Sequence, residues 1–306
     1  MVTPTNKGSM MKQVLVGKVS PPTLASGDPR GGYVTTWDGK AKLGLGPGGV
    51  KYNVKVGDPC LGWPHTEYLE PGVALIGFEE GSTSGPYTAS GTGIAFVKLS
   101  CLGNKVTMIN GDAKGAKGVV TGKGGMGGTS MHLQVWFPYD TLDKICTGDK
   151  VKVVSEGVGL EISGWEGRIF NLAPSLFEAL NSTLTKDILG LPVTKIIPIK
   201  AMGYGVGQGS GETGTWCIQS NPPSLVDEIG ISDLCFGDIV ALTDALIDYG
   251  KGYYKGAVTI GVITTGGSDQ AGQGPGVMAI ATSLKGKIKP RLDKNANIAK
   301  LLKLEA

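Results

Sequence analysis

The chain has 306 residues, 41% of them hydrophobic and only 18% charged. That apolar share suffices for a packed core and excludes wholesale disorder. A net charge of +3 with three arginines, Arg30, Arg168 and Arg291, gives no reason to expect a nucleic-acid reader. Glycine supplies 51 residues without a strict three-residue period, which excludes collagen.

The first residues, MVTPTNKGSMMKQ, lack the apolar core of a signal peptide. Residues 1–12 read as a polar arm or an expression remnant. An ordered arm would be held by the body or by a neighbouring subunit, which makes Thr3 and Asn6 candidate interface residues. Strand-like segments rich in β-branched or aromatic residues follow. They are Val14–Val19, Lys51–Val56, Val73–Phe78, Ile94–Leu99 and Lys105–Ile109, then His132–Phe137, Val151–Val154, Val193–Ile199, Ile239–Leu242 and Ala257–Ile263. Between two of them, Gly111–Gly128 holds eight glycines in 18 residues and reads as a long loop. Lys114, Lys117 and Lys123 could make that loop a cradle for a small anion. Packing at a subunit contact is the favoured reading.

In His132–Phe137, alternation sends Leu133, Val135 and Phe137 to one face and His132, Gln134 and Trp136 to the other. An exposed Trp136 would mark a contact surface, and Trp216 is a second interface candidate. Pro174–Leu189 has a helical apolar stripe, a proline in its first turn and Gly190-Leu191-Pro192 as its stop. Ala296–Leu304 is a shorter amphipathic candidate, and Ser224–Ile229 a helical turn.

Three copies of an apolar residue ahead of Gly-Asp, at Gly57-Asp58, Gly148-Asp149 and Gly237-Asp238, suggest repeated tight turns at strand entries. A domain boundary is placed between 147 and 148, giving two β-rich parts, 1–147 and 148–306. Gly203–Gly214 has G-x-G-x-x-G-like spacing, but a strand-like run follows it, not a helix, so a dinucleotide site is not expected. Five widely spaced cysteines without C-x-x-C argue against a disulfide framework and a zinc knuckle. No apolar run approaches the roughly 20 residues of a membrane helix.

Seven segments stand in an order that resembles the bacterial family grouped as domain of unknown function 4438. They are Lys51–Asp58 (KYNVKVGD), Glu70–Val73 (EPGV), Gly111–Lys123 (GDAKGAKGVVTGK), Phe236–Val240 (FGDIV), Gly256–Val262 (GAVTIGV), Gly274–Val277 (GPGV) and Asn295–Ala299 (NANIA). The resemblance spans Lys51 to Ala299 and implies a two-part β-rich fold and oligomers, with no reaction. The family pattern carries polar residues where this chain does not. A histidine after Gly-Lys is replaced by Gly124, and an Asp-His pair before Glu-Pro-Gly-Val by Glu67 and Tyr68. Two acids are missing from Gly214–Ile218 (GTWCI). Thr265 and Gln273 stand at two further histidine positions. The resemblance therefore implies an eroded polar site with its turn glycines intact.

The expected fold is α+β, predominantly β, a glycine-rich two-part barrel or sandwich with few helices. The leading functional expectation is a non-catalytic, self-assembling or structural oligomer. It would have itself as partner, no nucleic acid, no membrane, no cofactor and no metal, and a cytoplasmic location by default, with signal-free export left open. One alternative is a hydrolase-like or metal-assisted enzyme using His132, Asp112 and Gln273 beside Lys114. The other is an anion-binding module using Lys114, Lys117 and Lys123.

Overall fold

The structure, a computed structural model, describes residues 3–25, 33–77, 91–124, 132–206, 211–212, 214–248 and 252–304. The first half contains β1 (Gln13–Val19), β2 (Pro22–Ala25), β3 (Tyr33–Thr35), β4 (Ala41–Gly48), β5 (Val73–Gly77), α1 (Gly91–Leu99), β6 (Lys105–Met108), β7 (Lys117–Gly124), β8 (His132–Trp136) and β9 (Lys150–Ser155). The second contains β10 (Arg168–Ile169), α2 (Pro174–Ala179), β11 (Thr183–Thr185), β12 (Ile188–Val193), β13 (Lys195–Pro198), β14 (Thr215–Cys217), α3 (Pro223–Ile229), β15 (Ile239–Ala245), β16 (Tyr253–Thr265), β17 (Gly276–Ser283), β18 (Ile288–Leu292) and α4 (Ile298–Leu301). The fold is α+β and predominantly β, as the sequence implies.

Alternation builds the first half. In β9 the sequence KVKVVS turns Val151 and Val153 inward and Lys150, Lys152 and Val154 outward. Repeating that division closes a six-stranded barrel in the order β1–β5–β8–β7–β6–β9, with β9 pairing back to β1. Leu133, Val135 and Phe137 enter its core beside Val106 and Val120, as their spacing predicts. Helix α1 packs on β1 and β5 where glycine leaves room. A Cβ at Gly17 would lie 2.4 Å from the Phe96 ring. A separate small sheet, β2–β4–β3, buries Ala25 and Val34 on one face.

The second half has a sheet in the order β10–β17–β16–β15–β13, with β14 also on β17, and a three-stranded sheet β11–β12–β18 in which β12 and β18 run parallel. Leu176, Leu189, Ile260 and Ile280 belong to one of its cores, and Trp216, Phe236, Val240 and Ile263 to the other. The two halves meet where β7 crosses β16. A Cβ at Gly122 would sit 2.9 Å from Thr264 Cγ2, so glycine permits the approach of the two elements.

The Gly-Asp echo is one turn built three times. Asp58, Asp149 and Asp238 each accept at Oδ2 from the backbone amide three residues earlier, those of Lys55 (2.7 Å), Cys146 (2.8 Å) and Cys235 (2.9 Å). Their preceding glycines have φ of 106°, 91° and 84°. Glycine supplies the left-handed dihedral and aspartate closes the turn.

Several expectations fail locally. Ile94–Leu99 is helical within α1, and Lys51–Val56 is irregular. The long helix ends at Ala179, because Asn181 takes φ 46° and the β-branched residues beyond it form β11 and β12. The C-terminal helix shrinks to α4, while the turn at Ser224–Ile229 lies within α3. Gly111–Gly128 is no long loop: a turn ends by Ala116 and β7 follows. Its last residues, 125–128, lie outside the described residues, as do Arg30, Phe78 and residues 207–210 of the Gly203–Gly214 stretch. Strand β9 completes the barrel.

The amino-terminal arm lies on the second half of its own chain. Ser163 N donates to Pro4 O (3.0 Å), Thr3 Oγ1 to Ser182 O (3.1 Å), and Asn6 Nδ2 to Gly159 O (2.9 Å). Asn6 Oδ1 accepts from Glu161 N (2.9 Å), and Lys7 pairs with Glu178.

Candidate functional site

The outer face of β8 leads to the strongest polar constellation. His132 and Gln134 project away from the barrel core, as the alternation predicts, yet both are buried. His132 Nε2 lies 2.6 Å from Glu70 Oε1. Glu70 stands in the Glu-Pro-Gly turn before β5, which aims its carboxylate back at the β4 end. There Gly48 N donates to Oε2 (2.9 Å), and Lys51 Nζ stands 4.0 Å from the same oxygen. Burial pushes the Glu70 carboxyl up, but His132, Lys51 and the Gly48 amide outweigh it and hold it below its usual range. Burial pushes the Lys51 ammonium down, and Glu70 only partly opposes this.

Gly124 is part of this constellation by what it lacks. A Cβ there would lie 2.1 Å from Glu70 Oε1 and 2.5 Å from His132 Nε2. The histidine that the family resemblance implies at 124 has no room while the Glu70–His132 pair is closed.

Lys123, the preceding residue, is wholly buried. Its Nζ donates to Asn171 Oδ1 (2.7 Å) and to Glu212 O (3.0 Å). Asn171 Nδ2 in turn donates to Gly211 O (2.6 Å) and Ala279 O (2.9 Å). Burial pushes the Lys123 amine down to about 8. A neutral amine has two N–H groups for these two acceptors. Between pH 8 and 10.5 the unfolded chain holds a proton on this lysine that the folded chain does not, so stability rises with pH across that window. The expected rise is about 3 kcal/mol. In Lys123→Met it should be absent from urea-unfolding curves taken at successive pH values.

Another buried acid, Glu67, pins the first half to the second. Its oxygens accept from Ser268 Oγ (2.5 Å), Asp269 N (2.8 Å) and Gln270 Nε2 (3.1 Å), and Lys42 Nζ lies 2.8 Å away.

The residues expected to form a cleft are dispersed. Asp112 and Lys114 are exposed in the turn before β7, whereas His132 pairs with Gly124 at its other end. The eight residues of strand from Lys117 to Gly124 span about 23 Å. Asp112 therefore cannot act with His132, and exposed Lys114 and Lys117 cannot share an anion with buried Lys123. Gln273 is half-buried, and its side-chain oxygen has no hydrogen-bond partner among the described residues. Trp216 is 1% exposed in the second-half core, which removes it from any surface; Trp136 is half-buried. Thr3 and Asn6 bind their own chain.

Asp244 Oδ1 accepts from Gly256 N (2.7 Å), and Asp248 pairs with Arg168. Burial pushes the Cys101 thiol up to about 11 and Cys217 up to about 12, which leaves both as thiols. Among the described residues no group of three or more His, Cys, Asp or Glu is placed to hold a metal. None of their helices is long and apolar enough to cross a membrane.

Glu70, Lys51, Glu67 and Asn171 were not singled out as site residues by sequence reasoning. Glu70 stands in a quoted segment, but as part of a turn, and its partner His132 is 62 positions away.

Residues 33–178 match the family model described as Domain of unknown function (DUF4438), N-terminal, and residues 179–302 match its C-terminal counterpart. The solved structure described as "Crystal structure of TM1086" is 35% identical to this chain. It aligns with a TM-score of 0.86 over 98% of this chain and 99% of that one. No curated protein matches.

Proposed function

The chain belongs to the DUF4438 family, and from its own surface we propose that it is a non-catalytic protein that assembles with copies of itself. The observation carrying this reading is the outer face of the small sheet. Leu24 pairs in register with Leu45, and Tyr33 with Leu43, so the four side chains share one face. They are 44%, 43%, 59% and 38% exposed. A groove of about 490 Å³ continues the face past Pro22, Pro47 and Tyr52 to Lys51. Contiguous apolar surface of this kind is uncommon on monomers and marks interaction sites.

A second copy is the occupant favoured by two properties. The near-neutral net charge of +3 opposes self-approach only weakly. A patch centred on β4 also suits an isologous pair, in which each copy offers the same residues. The buried polar groups support the non-catalytic half of the reading. Glu70, Lys123 and Glu67 are each engaged by internal partners and fasten segments distant in sequence.

Light scattering across a concentration series tests the proposal. The wild-type protein should be oligomeric, and Leu43→Lys/Leu45→Lys should weaken association by about 2 kcal/mol or more with an unchanged circular-dichroism spectrum. A strict monomer at high concentration would remove the reading.

A further inference from the structure

A second surface, independent of the small sheet, is assembled by the barrel register. On the outer wall, Val14, Val154, Lys105 and Val119 form one row across β1, β9, β6 and β7. Val16, Lys152, Thr107 and Lys117 form the next, and Lys18 stands opposite Lys150 in a third. Neighbouring strands lie about 5 Å apart, so these side chains make one continuous patch. None of the four strands contains an aspartate or glutamate. Of the acids flanking the wall, Glu156 pairs with Lys12 at 2.7 Å and Asp149 Oδ2 accepts from Cys146 N, while exposed Asp112 stands in the turn joining β6 and β7. The patch also exposes apolar groups, with Val14 61%, Val16 45% and Val154 38% exposed.

We propose that this barrel wall is a docking surface for an anionic lipid bilayer, with Lys105, Lys117 and Lys152 meeting the phosphates and Val14, Val16 and Val154 entering the headgroup boundary. Charge complementarity selects an anionic partner, and the composition of the patch selects its class. Single-stranded nucleic acid is held by stacking on aromatic rings, and base edges are read by arginine, asparagine or glutamine. The three rows contain none of these. Lysines among exposed aliphatic side chains suit a surface that offers negative charge above hydrocarbon. The binding is peripheral and needs no spanning segment. The net charge of +3 does not reveal the patch, because it sums over the whole chain and the four strands of this wall carry lysines without an acid.

Co-sedimentation of the full chain with vesicles tests this proposal. The protein should pellet with vesicles of equal parts phosphatidylcholine and phosphatidylserine, should stay in solution with phosphatidylcholine alone, and should be released by high salt. Lys105→Glu/Lys152→Glu should lower partitioning about tenfold or more. Val14→Ser, which keeps every charge, should lower it severalfold. Both variants are to be checked for wild-type thermal unfolding. If either variant unfolds, Lys117→Gln, at an exposed strand end, replaces it and should also reduce binding. Absence of binding to the anionic vesicles would overturn the proposal. So would binding unchanged by the charge reversal, or tighter binding to a mixed-sequence single-stranded RNA than to the vesicles.

Discussion

Replacing Glu70 with alanine is expected to destabilise the folded chain by about 3–5 kcal/mol, the range for removing one partner of a buried ion pair. The substitution would leave His132, Lys51 and the Gly48 amide facing a cavity where the Glu70 carboxylate was buried. Glu70→Gln keeps the volume and one acceptor, so it should cost less. The pH dependence gives the interaction a signature that packing alone lacks. Because the carboxyl is held below its usual range in the fold, its contribution is present above about pH 4.5 and is lost as pH falls through the lowered value. In Glu70→Gln that acid-side loss should shrink, which urea-unfolding curves between pH 3 and 6 would resolve.

Gly124→Ala should be nearly as damaging, at about 3 kcal/mol, although it adds a single methyl group. The added carbon would overlap Glu70 Oε1 and His132 Nε2, which are fixed by each other and buried. The backbone of Gly124 is also paired with His132 across β7 and β8 and cannot move away alone. Alanine at Gly115, where nothing lies within 4 Å, meets no such overlap. It isolates the φ of 93° there, which only glycine adopts without strain, and is expected to cost about 1 kcal/mol. Thermal unfolding of the two variants side by side measures how much of the Gly124 effect is contact with the Glu70 pair.

Features dictated by neighbouring residues were legible in the sequence. The Gly-Asp turns need only four consecutive residues, and all three form as expected. Alternation in His132–Phe137 separated the barrel-facing from the outward side chains, because a strand's period is independent of what covers it. Ile94–Leu99 was misread because its β-branched and aromatic residues favour a strand when isolated. In the fold, Phe96 and Val97 are both buried as α1 packs on β1 and β5.

The glycines of β7 misled for a different reason. Their abundance looked like chain flexibility, but Gly118, Gly122 and Gly124 each stand where a side chain would strike Phe137, Thr264 or Glu70. The polar constellation was invisible because its links are long-range. Lys123 and Asn171 are 48 positions apart, and Glu67 reaches Ser268 across 201. No spacing rule encodes such contacts.

The route of residues 3–10 carries a consequence for how the molecule melts. The arm crosses one half before β1 supplies the opening stave of the other, like a thread sewn through both pieces of a seam. Neither piece can come apart without slackening the stitch that crosses to its neighbour. Scanning calorimetry of the intact chain should show one endotherm spanning both halves. Removing residues 1–9 should lower the temperature of that peak, while the bonds of Glu67 to Ser268, Asp269 and Gln270 keep the two halves melting together.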